Sequence, residues 1–231
     1  MTDNKFAVIG LGEFGMAIAK TLARRGVEVL AIDRDEQIIE QIADSVANAV
    51  ALDSTDRKAL LSVDIQDFDA VVVAIGEDFE QLLLTTTQLM DMGVKRIMAR
   101  ARGRNQQLIL QKIGVEEVLL PEDEVGANVA EKLINPSIVS YLDLPDEYCI
   151  MEVNCPPGIA GRSLAEVDMR KRYQINLLTI KIPLENKSEN HEERKHLIMG
   201  IPGGDTQLEA DQTLVIFGKR DNVERFIQIN Q

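Results

Sequence analysis

Only two cysteines, Cys149 and Cys155, occur in 231 residues, too few for a disulfide framework. A reduced cytosolic setting is the simplest reading, with both thiols buried as small apolar groups or half exposed. Basic charge is also short. Lys and Arg number 25 against 38 Asp and Glu, a net charge of −13. Phosphate neutralisation needs clustered Lys and Arg, so this balance argues against a nucleic-acid polymer as partner, and against adhesion to anionic lipid. No run approaches the roughly 18 apolar residues of a membrane span. Met1-Thr2-Asp3-Asn4-Lys5 has no basic start and leads straight into a strand, so no secretion signal is expected. There is no Walker A lysine and no nucleophile elbow. His191 and His196 stand five apart with no third ligand, which argues against zinc. Tryptophan is absent and aromatics are 4%, yet hydrophobic residues reach 45%, enough for a sizeable core in one large or two modest domains.

What is present is organised around the stretch Phe6-Ala7-Val8-Ile9-Gly10-Leu11-Gly12-Glu13-Phe14-Gly15. A short apolar run enters G-x-G-x-x-G and a helical pattern leaves it, the context that a dinucleotide-binding fingerprint requires. Gly10 permits the turn, Gly12 the approach of a pyrophosphate, and Gly15 close packing of helix on strand. The free N–H groups and dipole of that helix favour an anion.

Strand and helix then alternate. Strands are predicted at Phe6–Gly10, Val27–Ile32, Ala47–Leu52, Asp69–Ile75, Arg96–Ala101 and Glu117–Leu120. Such a rhythm specifies a Rossmann-type doubly wound parallel sheet, which binds ligands beyond the carboxyl ends of its strands. The residues at those ends are Gly10–Gly15, Asp33, Asp53 and Ala74-Ile75-Gly76. Asp33, at the end of the second strand, accepts from ribose hydroxyls and repels a 2′-phosphate, or it caps the helix that follows. Arg34 beside it is a side chain that could host a 2′-phosphate. Asp53 meets an adenine amino group or caps a helix; Ser54 or Thr55 is a further capping candidate.

Three segments are expected: residues 1–121 as the nucleotide-binding lobe, 122–145 as a helical crossover, and 146–231 as a small α+β lobe. The crossover is predicted as helix over Val125–Leu133 and again over Ser137–Leu142. In the last lobe, Ser163 and Glu166 form a capping box at the start of a helix reaching Tyr173, and Glu185–Lys195 reads as a polar loop. A dehydrogenase needs a substrate pocket with an acid or base near the nicotinamide, and this lobe offers none. The pattern therefore points to a nucleotide sensor without catalytic residues. An NAD-dependent oxidoreductase or other Rossmann enzyme is the alternative, and a transcription factor's ligand-binding domain a more distant one.

These marks resemble the RCK (KTN) family, built from TrkA-N and TrkA-C domains, which regulates potassium channels and transporters. The fingerprint, Val29–Asp33, Asp53-Ser54-Thr55 and Val72–Gly76 carry the likeness in the first half, and Lys112–Val115 with Pro121-Glu122 and Gly126 at the crossover. Ile159–Leu164, Arg170–Tyr173 and Asp211–Gly218 carry it in the second. Within that family the chain resembles KtrA-type subunits. The resemblance implies a homodimer assembled into an octameric cytoplasmic ring that gates an integral-membrane potassium translocator of KtrB or TrkH type. It implies an adenine nucleotide (NAD or NADH, ADP, AMP or ATP) at Gly10, Gly12, Glu13, Phe14, Gly15, Asp33, Arg34, Asp53, Ser54, Thr55, Ala74, Ile75 and Gly76. Arg100 matches a basic position near the phosphates. Glu122 matches a carboxylate linked to a divalent cation there, or is a surface acid favoured at a helix start. Arg172, Asn176 and Leu177 fall where some members bind cyclic di-AMP, though Asn176 also suits the opening of a strand. Glu13 is a departure: ATP-responsive relatives carry an arginine there, and a carboxylate repels a triphosphate unless a cation intervenes.

Overall fold

The computed structural model describes residues 4–184 and 196–231, so the Glu185–Lys195 segment and His191 lie outside the described residues. The chain divides into two units, Met1–Glu124 and Val125–Gln231.

In the first unit, aliphatic runs form β1 (Lys5–Ile9), β2 (Glu28–Asp33), β3 (Asn48–Ala51), β4 (Ala70–Val73), β5 (Ile97–Arg100) and β6 (Glu117–Leu119). Between them lie α1 (Glu13–Arg24), α2 (Glu36–Ile42), α3 (Arg57–Leu61), α4 (Phe79–Asp91) and α5 (Arg104–Ile113). The strands are parallel, in the order β3-β2-β1-β4-β5-β6. The chain starts at the centre, winds outward through β2 and β3, then returns to the other side of β1. That reversal opens a crevice at the carboxyl ends of β1 and β4. Ile9 pairs with Ile32 on one side and Val73 on the other, so the three strands end level beneath the crevice.

Both faces of this sheet are covered. Ile9, Ile32, Val71 and Val73 pack with Leu82 and Leu89 in one layer, and Val8, Ala31 and Val72 with Ala19 in the other. Period-two alternation into two apolar layers makes β4 a continuous buried run.

Helix α6 (Pro121–Ile134) follows, starting four residues earlier than predicted. The second unit holds β7 (Ile138–Asp143), β8 (Tyr148–Asn154), β9 (Ile175–Pro183), β10 (His196–Ile198) and β11 (Thr213–Lys219), with α7 (Leu164–Val167), α8 (Met169–Tyr173) and α9 (Arg220–Asn230). Its sheet is antiparallel, in the order β10-β9-β11-β8-β7. The helix predicted over Ser137–Leu142 is corrected here: this stretch is β7, an edge strand paired with β8. β-Branched Ile138 and Val139 with Tyr141 favour an extended edge that β8 can hydrogen-bond. The capping box at Ser163 and Glu166 is present, but the helix breaks at Asp168, which is left-handed at φ 46°, giving α7 and α8.

The second core gathers Met151, Ile180, Leu214 and Ile216 from the sheet and Val223, Phe226 and Ile227 from α9. Tyr173 meets Phe226 edge-on with ring centroids 5.1 Å apart. Buried Asn230 is satisfied, donating to the Phe226 carbonyl and the Tyr173 hydroxyl. Both cysteines are buried, and burial pushes the Cys155 thiol up to about 11. The thiolate is the reactive form. At pH 8 a thiol reagent should therefore label Cys155 far more slowly in the folded chain than in urea, a contrast readable by mass spectrometry.

Candidate functional site

The turn between β1 and α1 is built by steric necessity. Gly10 has φ +86°, and a Cβ there would lie 2.9 Å from both the backbone nitrogen and the side chain of Ile75. A Cβ on Gly15 would lie 1.9 Å from the Gly10 carbonyl oxygen. The first turn of α1 thus presses directly on the end of β1. Gly12 is the N-cap of α1 and supplies no side-chain acceptor, whereas α2, α3 and α4 are capped by Asp35, Asp56 and Asp78. The opening N–H groups of α1 are left for an external anion.

Above this turn lies a cleft of about 530 Å³. It brings together Gly10, Gly12, Glu13, Asp33, Arg34, Ser54, Ala74, Ile75, Gly76 and Arg100 from five separate strand ends. Ile38, Leu52 and Ile75 give it apolar walls. Asp33 Oδ2 accepts from the Leu11 N–H at 2.6 Å and Oδ1 from the Asp35 N–H at 3.0 Å. It therefore braces the glycine turn, and the capping of α2 falls to Asp35 instead. Each Asp33 oxygen retains a lone pair for a ribose hydroxyl.

Asp53 and Thr55 line a second hollow of about 260 Å³ with Arg34. The Thr55 N–H and hydroxyl donate to Asp53 and hold its carboxyl below the usual carboxylate range. Neither Asp53, Ser54 nor Thr55 caps α3, since Asp56 does so; Ser54 is buried and shares a 2.8 Å hydrogen bond with Thr85. Phe14 and Gly15 do not line the cleft. The Phe14 ring stacks beneath the Arg100 guanidinium at 5.2 Å.

At the opposite end, Arg100 pairs with Glu122, which holds that carboxyl below its ordinary range. The Arg100 side chain is only 14% exposed, and its Nε is buried without a hydrogen-bond partner. An orphaned cationic donor at the rim of an anion-favouring cleft fits a bound phosphate. The apolar walls, the carboxylate at Asp33 and the uncapped α1 fit the adenine, ribose and phosphate of a nucleotide. No three-residue cluster of His, Cys, Asp or Glu suited to a metal occurs among the described residues.

Sequence reasoning missed Arg102, Asp78 and Gln81, which also line the cleft. Asp78 was legible as a cap before the Phe79 helix. Arg102 lies two residues past Arg100, in the bend that follows β5. In the second unit, Asn176 is met by Arg170, whose Nε donates to Oδ1 at 2.5 Å. Arg172 instead stacks on Tyr173 at 5.5 Å, and Leu177 packs partly buried against the core. The arginine beside Asn176 is thus Arg170, because the short α8 turns Arg172 toward its own C-terminal aromatic.

Comparison with known proteins gives these elements a family. Residues 6–121 match the TrkA-N domain and residues 150–230 the TrkA-C domain. Ktr system potassium uptake protein C of Bacillus subtilis is 33% identical over 222 residues, covering 96% of this chain and 95% of that protein. Ktr system potassium uptake protein A of the same organism is 32% identical over 224 residues, covering 97% and 96%. Among solved structures, the NAD(P)-binding domain of an exopolyphosphatase-related protein from Archaeoglobus fulgidus is 26% identical with a TM-score of 0.50, covering 56% of this chain and 96% of that one. With both halves matched in order and nearly end to end, the chain belongs to the TrkA-N/TrkA-C family, alongside the potassium uptake proteins of the Ktr system.

Proposed function

We propose that this chain is a nucleotide-sensing subunit that gates an integral-membrane potassium translocator from the cytoplasmic side, without turning its ligand over. The observation that carries the reading is the cleft itself: an uncapped α1, a carboxylate at Asp33 and the orphaned Arg100 Nε converge on one crevice. The end-to-end match to Ktr potassium uptake proteins supplies the context. No helix of the described residues is long and apolar enough to cross a membrane. A separate membrane partner would therefore carry the ion.

The ligand is an adenine nucleotide, with NAD or ADP favoured over ATP because Glu13 places a carboxylate at the phosphate end. Glu122 is the candidate for a divalent cation beside the phosphates, once Arg100 turns to them. Arg172, Asn176 and Leu177 are the candidates for cyclic di-AMP, with Arg170 beside Asn176 as a further one. Val125, Val129 and Leu133 are exposed along α6 at helical spacing, a face suited to pairing two copies into the dimers of a ring. Population shift between ring shapes on nucleotide binding would transmit the signal.

Native mass spectrometry of the purified chain tests the reading. The expected result is a multiple of two subunits, eight in the complete ring, retaining or taking up an adenine nucleotide. A monomer with no nucleotide affinity would overturn it. Steady oxidation of NADH with a carbonyl substrate would favour a Rossmann enzyme instead.

A further inference from the structure

Arg100 and Arg102 stand at the carboxyl end of β5 and are engaged differently. Arg100 is paired with Glu122 and stacked on Phe14. Arg102 is exposed; among the described residues no carboxylate lies within ion-pair distance of its guanidinium, and its charge acts on Glu122 only at longer range, behind that of Arg100. Its backbone is nevertheless fixed. The Arg102 N–H donates to Gln106 Oε1 at 2.7 Å, tying the turn to the first part of α5. Its Nε lies 3.4 Å from the point where a Cβ on Gly76 would stand, with a terminal nitrogen of Arg100 closer still at 2.8 Å. The two guanidinium groups therefore share the space just past the end of β4, the strand beside β1.

Of the other ionisable groups at this end of the cleft, Glu13, Glu77 and Asp78 are acidic, and Arg100 carries Glu122 on one terminal nitrogen while its unpartnered Nε is left for a first phosphate. An anion seated on the uncapped N-terminus of α1 would have Arg102 one strand away, across bare Gly76. That is the reach of a second phosphate rather than of the nucleoside. We propose that Arg102 sets the phosphate specificity of the cleft, pairing with the second phosphate of a nucleoside diphosphate or of a dinucleotide pyrophosphate. Adenosine and AMP gain little from it, while ADP and NAD gain a charge-assisted, forked contact. The inference rests on the cleft being an adenine-nucleotide site.

Calorimetric titration of the full chain with adenosine, AMP, ADP and NAD at fixed ionic strength tests it. Arg102→Ala should weaken ADP and NAD by about tenfold or more, the scale of one charge-assisted hydrogen bond. Adenosine should stay within about twofold of its original affinity, since nothing it touches has changed. Arg102→Lys should restore part of the loss, keeping the charge without the fork. Equal losses for adenosine and ADP, or an unchanged ADP affinity, would overturn the role of Arg102 while leaving the nucleotide site standing. A wild-type chain that binds none of the four ligands would overturn the site and the inference together.

Discussion

Gly15→Ala should cost the first unit about 3 kcal/mol or more in stability and abolish nucleotide binding. The added Cβ would stand 1.9 Å from the Gly10 carbonyl oxygen, 3.0 Å from its carbon and 3.2 Å from the Ala74 Cβ. Two of those three atoms are backbone, so no side chain can swing away. Either α1 lifts from the sheet or the β1 turn deforms, and both disrupt a packed layer that includes Val8, Leu11 and Ala19. Alanine's helix propensity offsets about 1 kcal/mol at most. Urea unfolding followed by circular dichroism reads the loss as an earlier transition, and a titration with NAD reads the binding. Gly12→Ala is the contrast. Nothing lies within 4 Å of a Cβ there, and the residue has φ −60°, so stability should change little. Its methyl would instead occupy the open approach to the N-terminus of α1 and reduce affinity alone. If Gly15→Ala proved as mild as Gly12→Ala in stability, the close contact of α1 with β1 would be wrong.

Why the first unit could be read so directly follows from burial on two sides. Ala70–Val73 lies between two apolar layers, so its sequence is unbroken Ala and Val and needs no alternation to be seen. The strand ends followed from the same reasoning, and with them Gly10, Asp33, Ile75 and Gly76 of the cleft, whereas Asp53, read at the third strand end, lines the second hollow. The capping residues were less legible because each loop carries two acids. Asp33 and Asp35, then Asp53 and Asp56, compete for one role on local chemistry alone. In both loops the later one caps, because the earlier is held by other donors: Leu11 and Asp35 for Asp33, which ends β2, and Thr55 for Asp53, two residues past β3.

Strand β7 was hidden for the opposite reason. At the sheet edge Val139, Ser140, Leu142 and Asp143 are exposed, so burial imprints no alternation on them, and only pairing with β8 defines the strand. Arg102 stood beside Arg100 in the sequence, but its meaning depends on Gly76, a neighbour 26 residues earlier whose missing side chain leaves a space that both arginines share.

Asp33→Ala should weaken NAD and ADP by about 100-fold and shift the preference between NAD and NADP toward NADP. Two losses combine. The Leu11 N–H, in a residue only 2% exposed, loses its 2.6 Å acceptor, and a buried donor left unsatisfied costs about 1–3 kcal/mol. That loss loosens the glycine turn on which the phosphate would rest. The ribose then loses a charged acceptor, worth a further 1.5–3 kcal/mol or so per hydrogen bond. Arg34 remains in the cleft, and without the neighbouring carboxylate it can meet a 2′-phosphate that Asp33 would repel. Asp33→Asn separates the two effects. Its single carbonyl oxygen can still hold the Leu11 N–H, so the turn should survive while the charge against a 2′-phosphate is gone. Titrations of both variants with NAD and NADP, alongside their urea midpoints, read the terms apart. Asparagine should keep most of the stability yet share the altered NAD-to-NADP ratio. An unchanged ratio in both variants would leave Asp33 as a brace of the glycine turn and remove it from the ribose.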